Sequence, residues 1–408
     1  MRLLDGRARR VSEPGIWMAI AVMSGAVLLL FAAPPSQAQT YSVIHAFTFT
    51  DGAFPQAGVS LDAHGNLYGT TSAGGAHECG TVFKLTPHGS NWTLAPLYSF
   101  TDGADGCQPA ARVVFGPNGS LYGTTSFDTV YNLRPPPTRP ASVLQGWNET
   151  TLYGFQDSLP AGDVIFDSSG NLYGAMSIGG SGCYNGCGFI YELSPSGGGW
   201  NLTVLYNFSG SDGAQPGGIV FDRSGNIFGT TNGGGATGWG TIFELTPSSQ
   251  GWIERALYNF QSPDNGGAAP SYGLVEDAAG NFYGSTSYGP NGTSIAFELS
   301  PENGGWTYSP LYDLPGVPSA PLTLDAAGNL YGTIYDAAQY PNGVVFKLSP
   351  SANGWTFTAL HEFTGGADGK YPASNVSIDA NGNLFGTATE GGEGCETNGC
   401  GVVWEITP

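Results

Sequence analysis

The stretch Asp62-Ala63-His64-Gly65-Asn66-Leu67-Tyr68-Gly69-Thr70 decides how this chain is read, because it returns six more times. The copies centre on Gly119-Ser120-Leu121-Tyr122-Gly123, Gly170-Asn171-Leu172-Tyr173-Gly174, Gly225-Asn226-Ile227-Phe228-Gly229, Gly280-Asn281-Phe282-Tyr283-Gly284, Gly328-Asn329-Leu330-Tyr331-Gly332 and Gly382-Asn383-Leu384-Phe385-Gly386. Asp167, Asp222, Asp277, Asp325 and Asp379 open five of these copies, and Gly116 takes the Asp place in the second. Successive copies lie 48 to 55 residues apart. A fixed period of this size marks a repeat architecture in which each unit is one supersecondary block.

Each copy carries three further anchors. An apolar segment such as Val82-Phe83-Lys84-Leu85 or Ile242-Phe243-Glu244-Leu245 follows the phrase. A tryptophan (Trp92, Trp147, Trp200, Trp252, Trp306, Trp355) then leads into Leu97-Tyr98-Ser99-Phe100 and its equivalents, and a short run such as Gly218-Ile219-Val220-Phe221 precedes the next Asp. These runs are rich in Val, Ile, Tyr, Phe and Thr and are separated by Gly, Asn and Asp, which is strand-and-turn chemistry. Asp caps the hairpin turn through an Asx bond, and Gly supplies its positive φ. Polar and apolar residues alternate weakly, as expected of sheets covered on both faces.

Seven units of about 53 residues, each of four short strands, predict an all-β, seven-bladed β-propeller. The segment Tyr41-Ser42-Val43-Ile44-His45-Ala46-Phe47 matches the fourth strand of a repeat, while the last repeat stops at Ile406 after its third. The N-terminal strand is therefore expected to complete the last blade and remove an open edge.

Composition agrees with this architecture. Glycine numbers 65 of 408 residues, while charged residues make up only 11%, against about 25% in ordinary globular domains. Twelve basic and 32 acidic residues give a net charge of -20. That excludes a nucleic-acid partner, whose phosphates need Lys and Arg, and disfavours an anionic membrane surface.

Residues 1–38 read as a signal peptide: Arg2, Arg7, Arg9 and Arg10, an apolar run from Gly15 to Ala33, then Ser36-Gln37-Ala38 as a small-x-small cleavage site. An uncleaved membrane anchor is the alternative for the apolar run. Cleavage after Ala38 would leave one domain, 39–408, with 8 of the 12 basic and 30 of the 32 acidic residues, net -22. The expected locations are the cell surface, the periplasm or the medium, with no membrane contact after cleavage, and a monomer is expected.

Six cysteines in an exported chain imply disulfides. Cys183 with Cys187 and Cys395 with Cys400 each fit a staple within one loop, and Cys79 and Cys107 lie on two loops that emerge on the same face. We expect the pairs Cys79–Cys107, Cys183–Cys187 and Cys395–Cys400, and no metal on these sulfurs.

The face bearing those loops is the expected functional surface, since loops on a rigid scaffold carry function. One loop set contains Asp51-Gly52, Asp102-Gly103-Ala104-Asp105-Gly106, Asp212-Gly213, Asp264-Asn265-Gly266 and Asp368-Gly369. Asp105, Asp212 and Asp368 are candidate binding residues. Calcium could use such carboxylates, but no loop has the spacing of a hand-type site, so turn capping is preferred and no cofactor is expected. In the second, glycine-rich set, Tyr184, Trp239 and Tyr288 depart from the repeat and could stack on a sugar or a peptide side chain; packing into neighbouring loops is the competing reading. The recurring tryptophans belong to the blades.

Catalytic motifs are missing: no His-Glu-x-x-His, no Gly-x-Ser-x-Gly and no phosphate loop occurs. Asn91-Trp92-Thr93 is one of seven Asn-x-Ser/Thr triplets, which would be glycosylation sites only in a host that modifies them.

The units Gly-Asn-Leu-Tyr-Gly-Thr-Thr, Gly-Thr-Val-Phe-Lys-Leu-Thr-Pro and Leu-Tyr-Ser-Phe-Thr-Asp-Gly-Ala-Asp-Gly resemble the GloVer-type tandem repeat of exported bacterial proteins, over residues 41–408. The second copy departs from it through Gly116 and the insertion beginning Arg134-Pro135-Pro136. The resemblance implies a secreted or surface-displayed repeat protein and assigns no catalytic residue. Two functions are expected to compete. One is a binding module for a glycan or a protein at the loop face; the other is a carbohydrate-active enzyme, lyase or hydrolase, using that face.

Overall fold

The computed structural model describes residues 39–408 apart from Ala110, Phe127, 137–145, Asn185 and 396–397. The expected signal peptide, and most of the insertion after Arg134, lie outside the described residues. After β1 (Thr40–Ala46), the first repeat supplies β2 (Ser60–Leu61), β3 (Leu67–Thr71), β4 (Thr81–His88) and β5 (Asn91–Ser99). The second gives β6 (Val114–Phe115), β7 (Leu121–Thr124), β8 (Thr129–Arg134) and β9 (Asn148–Gly154). The third gives β10 (Leu159–Phe166), β11 (Leu172–Ile178), β12 (Phe189–Ser196) and β13 (Gly199–Asn207). The fourth contains β14 (Ala214–Phe221), β15 (Ile227–Gly233), β16 (Thr241–Ser248) and β17 (Gly251–Asn259). Next come β18 (Val275–Glu276), β19 (Phe282–Ser285), β20 (Ser294–Glu302) and β21 (Gly305–Leu314), then β22 (Thr323–Leu324), β23 (Leu330–Ile334), β24 (Val344–Ser351) and β25 (Gly354–Glu362). The chain finishes with β26 (Ser377–Ile378), β27 (Leu384–Ala388) and β28 (Val402–Thr407).

Six blades are antiparallel sheets of consecutive strands, and the seventh has the order β1-β28-β27-β26. The propeller and its closure are thus as expected: Thr40 opposes Thr407, Tyr41 opposes Ile406 and Ala46 opposes Val402. The described residues contain no α-helix, only the 3-10 turns Pro117–Gly119 and Pro290–Gly292, and none of their helices is long and apolar enough to cross a membrane.

The repeated phrase is explained residue by residue. Gly69 sits opposite Phe83, and a Cβ there would lie 2.5 Å from the ring. The equivalent glycines lie beneath Tyr131, Tyr191, Phe243, Phe297, Phe346 and Trp404. A bare backbone in the second strand thus makes room for one fully buried aromatic ring in the third. The two threonines that follow divide their work. Thr70 Oγ1 donates to Ala111 O of the next blade, and Thr230, Thr333 and Thr387 do likewise to Tyr272, Ser374 and Ala57. Thr71 instead bonds Thr81 across its own hairpin.

The tryptophans join neighbours on the outside. Trp92 meets Phe385 of the preceding blade edge-on at 6.0 Å, and Trp200 meets Tyr122 and Trp355 meets Tyr283 in the same sense. Coverage on both faces holds for the second and third strands, but the outermost strands alternate: Asn91–Ser99 begins exposed, half-buried, exposed, half-buried. A blade's rim has a neighbour on one side only, so period two returns there.

Candidate functional site

Six of the seven hairpins on the lower face are closed by an aspartate, Gly116 standing in its place in the second. Asp62 Oδ1 accepts the amides of His64 and Asn66, while Oδ2 accepts Asn66 Nδ2 and the Tyr68 hydroxyl. Asp167, Asp277 and Asp325 repeat all four bonds. Burial pushes these carboxyls up, but the hydrogen bonds from Asn, Tyr and the turn amides outweigh it and hold them below the usual range. Their lone pairs are consumed by the turn itself.

A second aspartate clasp, not read from the sequence beyond simple turn capping, organises the loop face. Asp105 accepts the Tyr98 hydroxyl, the amide and hydroxyl of Thr101, and the Gly103 amide. Asp212 accepts the Tyr206 hydroxyl and the Ser209 amide, and Asp368 takes His361 Nε2 with the amide and hydroxyl of Thr364. Asp51 copies this with His45 and Thr48. Burial raises the Asp105 and Asp368 carboxyls, yet bonds from Thr101 and Thr364 first, then Tyr98 and His361, bring both below the ordinary value. The signal was present as Leu-Tyr or Leu-His followed at seven residues by Asp in Tyr98/Asp105 and His361/Asp368, and at six in Tyr206/Asp212.

Cys79 and Cys107 are bonded, with Cα atoms 4.9 Å apart, as are Cys183 with Cys187 and Cys395 with Cys400. Asp102 lies beside the first pair, but a disulfide has no thiolate to offer a metal.

Aromatic side chains project from this face. Tyr184, in the Cys183–Cys187 loop, is fully exposed, Tyr288 is 55% exposed and Trp239 is 41% exposed. The last two are brought together: Tyr288 exchanges backbone hydrogen bonds with Ala268, and the Ala269 amide donates to Trp239 O. Tyr184 belongs to another blade. A further aromatic group was not anticipated. Tyr335 stacks on Tyr371 with centroids 4.4 Å apart, and Lys370 Nζ lies 4.0 Å over the Tyr371 ring while pairing with Glu390 at 3.3 Å.

The innermost strands surround a central cavity of about 890 Å³. Its lining is mostly Gly, Ala, Ser and aliphatic side chains, with one ion pair, Arg112 Nε to Asp163 Oδ2 at 2.9 Å. What the loop face offers is hydrogen-bonded turns and exposed rings.

The model of the Gloeobacter/Verrucomicrobia repeat matches residues 28–134 and 128–316. No curated protein matches the sequence significantly. Among solved structures, hydrazine synthase of Kuenenia stuttgartiensis is similar at 14% identity, with a TM-score of 0.53 over 83% of this chain and 94% of that one. A protein from Lactobacillus plantarum is 15% identical over 75% and 84% (TM-score 0.49), and a putative oxidoreductase (glucose dehydrogenase) of Thermus thermophilus is 17% identical over 73% and 96% (TM-score 0.44). At these identities the likeness is one of fold.

Proposed function

The chain belongs to the Gloeobacter/Verrucomicrobia repeat family, and from that premise we propose that it is an exported binding module whose loop face holds a glycan or a protein. The observation that carries this reading is a division of labour on one face. Asp105, Asp212 and Asp368 spend their oxygens on their own turns, whereas Tyr184, Trp239 and Tyr288 keep their rings in solvent. Rigid aromatic rings supply contact area at little entropic cost, which suits recognition. The Asp105 and Asp368 carboxyls, held low by hydrogen bonds, are poor proton donors at neutral pH, which does not suit general-acid catalysis by these two groups. Three disulfides and an Arg-rich, apolar leader support export.

Retention of the purified chain on glycan and peptide arrays tests the reading. The double variant Trp239→Ala/Tyr288→Ala should lose at least about tenfold in affinity for whatever is retained, as truncated aromatic anchors do. Retention unchanged in that variant and in Tyr184→Ala would overturn the assignment of this face.

A further inference from the structure

Four residues before each hairpin aspartate, or before Gly116 in the second repeat, stand Gly58, Arg112, Asp163, Gly218, Gly273, Pro321 and Asn375, a ring of seven residues that all line the cavity. Glycine is the commonest occupant, and on one side it has a packing reason: a Cβ on Gly162 or Gly273 would press on the backbone of Gly218. Arg112, Asp163 and Asn375 break the ring's symmetry on the other side. Scaffold symmetry calls for none of them.

Their hydrogen-bonding capacity is only partly used. Arg112 meets Asp163 through its backbone amide and Nε; among the described residues its two Nη nitrogens have no partner. The Asn375 amide makes no hydrogen bond to a described residue either, and it occupies space that Gly58 leaves open, since a Cβ there would lie 2.1 Å from Asn375 Oδ1. Tyr272 also lines the cavity; its carbonyl accepts from Thr230, while its hydroxyl has no partner among the described residues. Ser319 Oγ, on the same lining, is buried without a partner. A buried hydroxyl such as Ser319 Oγ is normally satisfied, whereas Arg112 keeps a third of its side chain exposed.

We propose that the channel is a binding site for a neutral, polyhydroxylated molecule of one or two saccharide rings. The choice follows from charge and chemistry. The Arg112–Asp163 pair is electrically neutral, and a chain of net charge -20 disfavours a further anion. Hydroxyl groups both donate and accept, so they complement guanidinium Nη donors, a carboxylate, a primary amide and a phenol together. Tyr272 adds a ring face against which a pyranose can lie. The cavity of about 890 Å³ falls within the 300–1,000 Å³ or so of small-molecule sites. The proposal rests on reading the chain as a binding module, but not on the loop aromatics.

Calorimetric titration of the full chain with maltose and cellobiose, beside glucuronate as the anionic comparison, tests it. The neutral sugars should bind, glucuronate should bind more weakly, and Arg112→Gln and Asn375→Ala should each weaken the sugar at least tenfold. Asn375→Ala guards against misfolding of the Arg112 variant, because the amide holds no other group in place, and its melting temperature should equal that of the parent. No heat from either sugar at tens of millimolar, or equal affinity in both variants, overturns the proposal. Loss of sugar binding only in Trp239→Ala/Tyr288→Ala moves the site to the loops and likewise overturns it, while leaving the loop-face reading standing. Tighter binding of glucuronate contradicts the neutral class.

Discussion

Tyr41 lies flat on His361, with ring centroids 3.5 Å apart and planes 6° from parallel. The first residue belongs to the strand that closes the last blade and the second to the outer strand of the blade before it, so the stack crosses the seam next to closure. The Tyr41 hydroxyl donates to Asp368 O, and Asp368 holds His361. One side chain therefore ties the N-terminal strand to its neighbour's loop clasp.

Tyr41→Ala should cost about 2–4 kcal/mol, as large-to-small changes at packed aromatics do, and deleting residues 39–47 should cost far more. Both are read as melting temperature. A deletion that melts with the parent would mean that β1 is dispensable for closure.

Gly174 lies under the ring of Tyr191, and a Cβ would approach its hydroxyl to 2.3 Å. Gly174→Ala should destabilise by about 2–3 kcal/mol through overpacking, although alanine is otherwise acceptable in a strand. Denaturant unfolding gives the number, and a change within 0.5 kcal/mol or so would show that the ring moves aside freely.

The hydroxyls of Tyr131 and Tyr191 are buried without hydrogen-bond partners among the described residues, at a position where four other repeats carry Phe83, Phe243, Phe297 and Phe346. Tyr131→Phe and Tyr191→Phe should each stabilise by about 1 kcal/mol, because an unmade buried hydrogen bond costs more than the lost contact. A loss of stability in chemical denaturation would count against this view of the core.

Glu254 Oε1 is buried without a partner among the described residues, and burial first, then the nearby Asp212 charge, pushes its carboxyl up to about 7. A folded value above the unfolded one means that the proton is held more tightly in the native state, so the stabilisation is complete below the unfolded value and disappears as pH rises through about 7. Glu254→Gln should match the parent near pH 4, below the unfolded value, and exceed it by about 1–2 kcal/mol near pH 8.5, allowing for solvent screening. A melting-temperature difference that does not change with pH would contradict this.

Much of the fold was legible because its determinants are local. Asp62-x-x-Gly65-Asn66 encodes its own turn, the strand residues encode their own extension, and the match of Tyr41–Phe47 to a fourth strand exposes the closure. What could not be read were contacts between strands and between blades. Gly69 was legible as a glycine but not as the space for Phe83, and Thr70 not as a donor to the next blade, because both depend on register. At the candidate site the departures Tyr184, Trp239 and Tyr288 could be picked out against the repeat. Which of them adjoin, and that Arg112, Asp163 and Asn375 share one ring, depend on how seven blades are set around an axis. The clasps of Asp105 and Asp368 were hidden by the seven-residue gap to the partner ring.

Recognition without turnover can be separated from catalysis by incubating the purified chain with a polysaccharide panel and measuring retention and released ends, reducing or unsaturated, in the same samples. A binding module retains at least one glycan or, on the matching peptide panel, one peptide, with no product above the protein-free control. Sustained product release that scales with protein concentration would contradict that assignment.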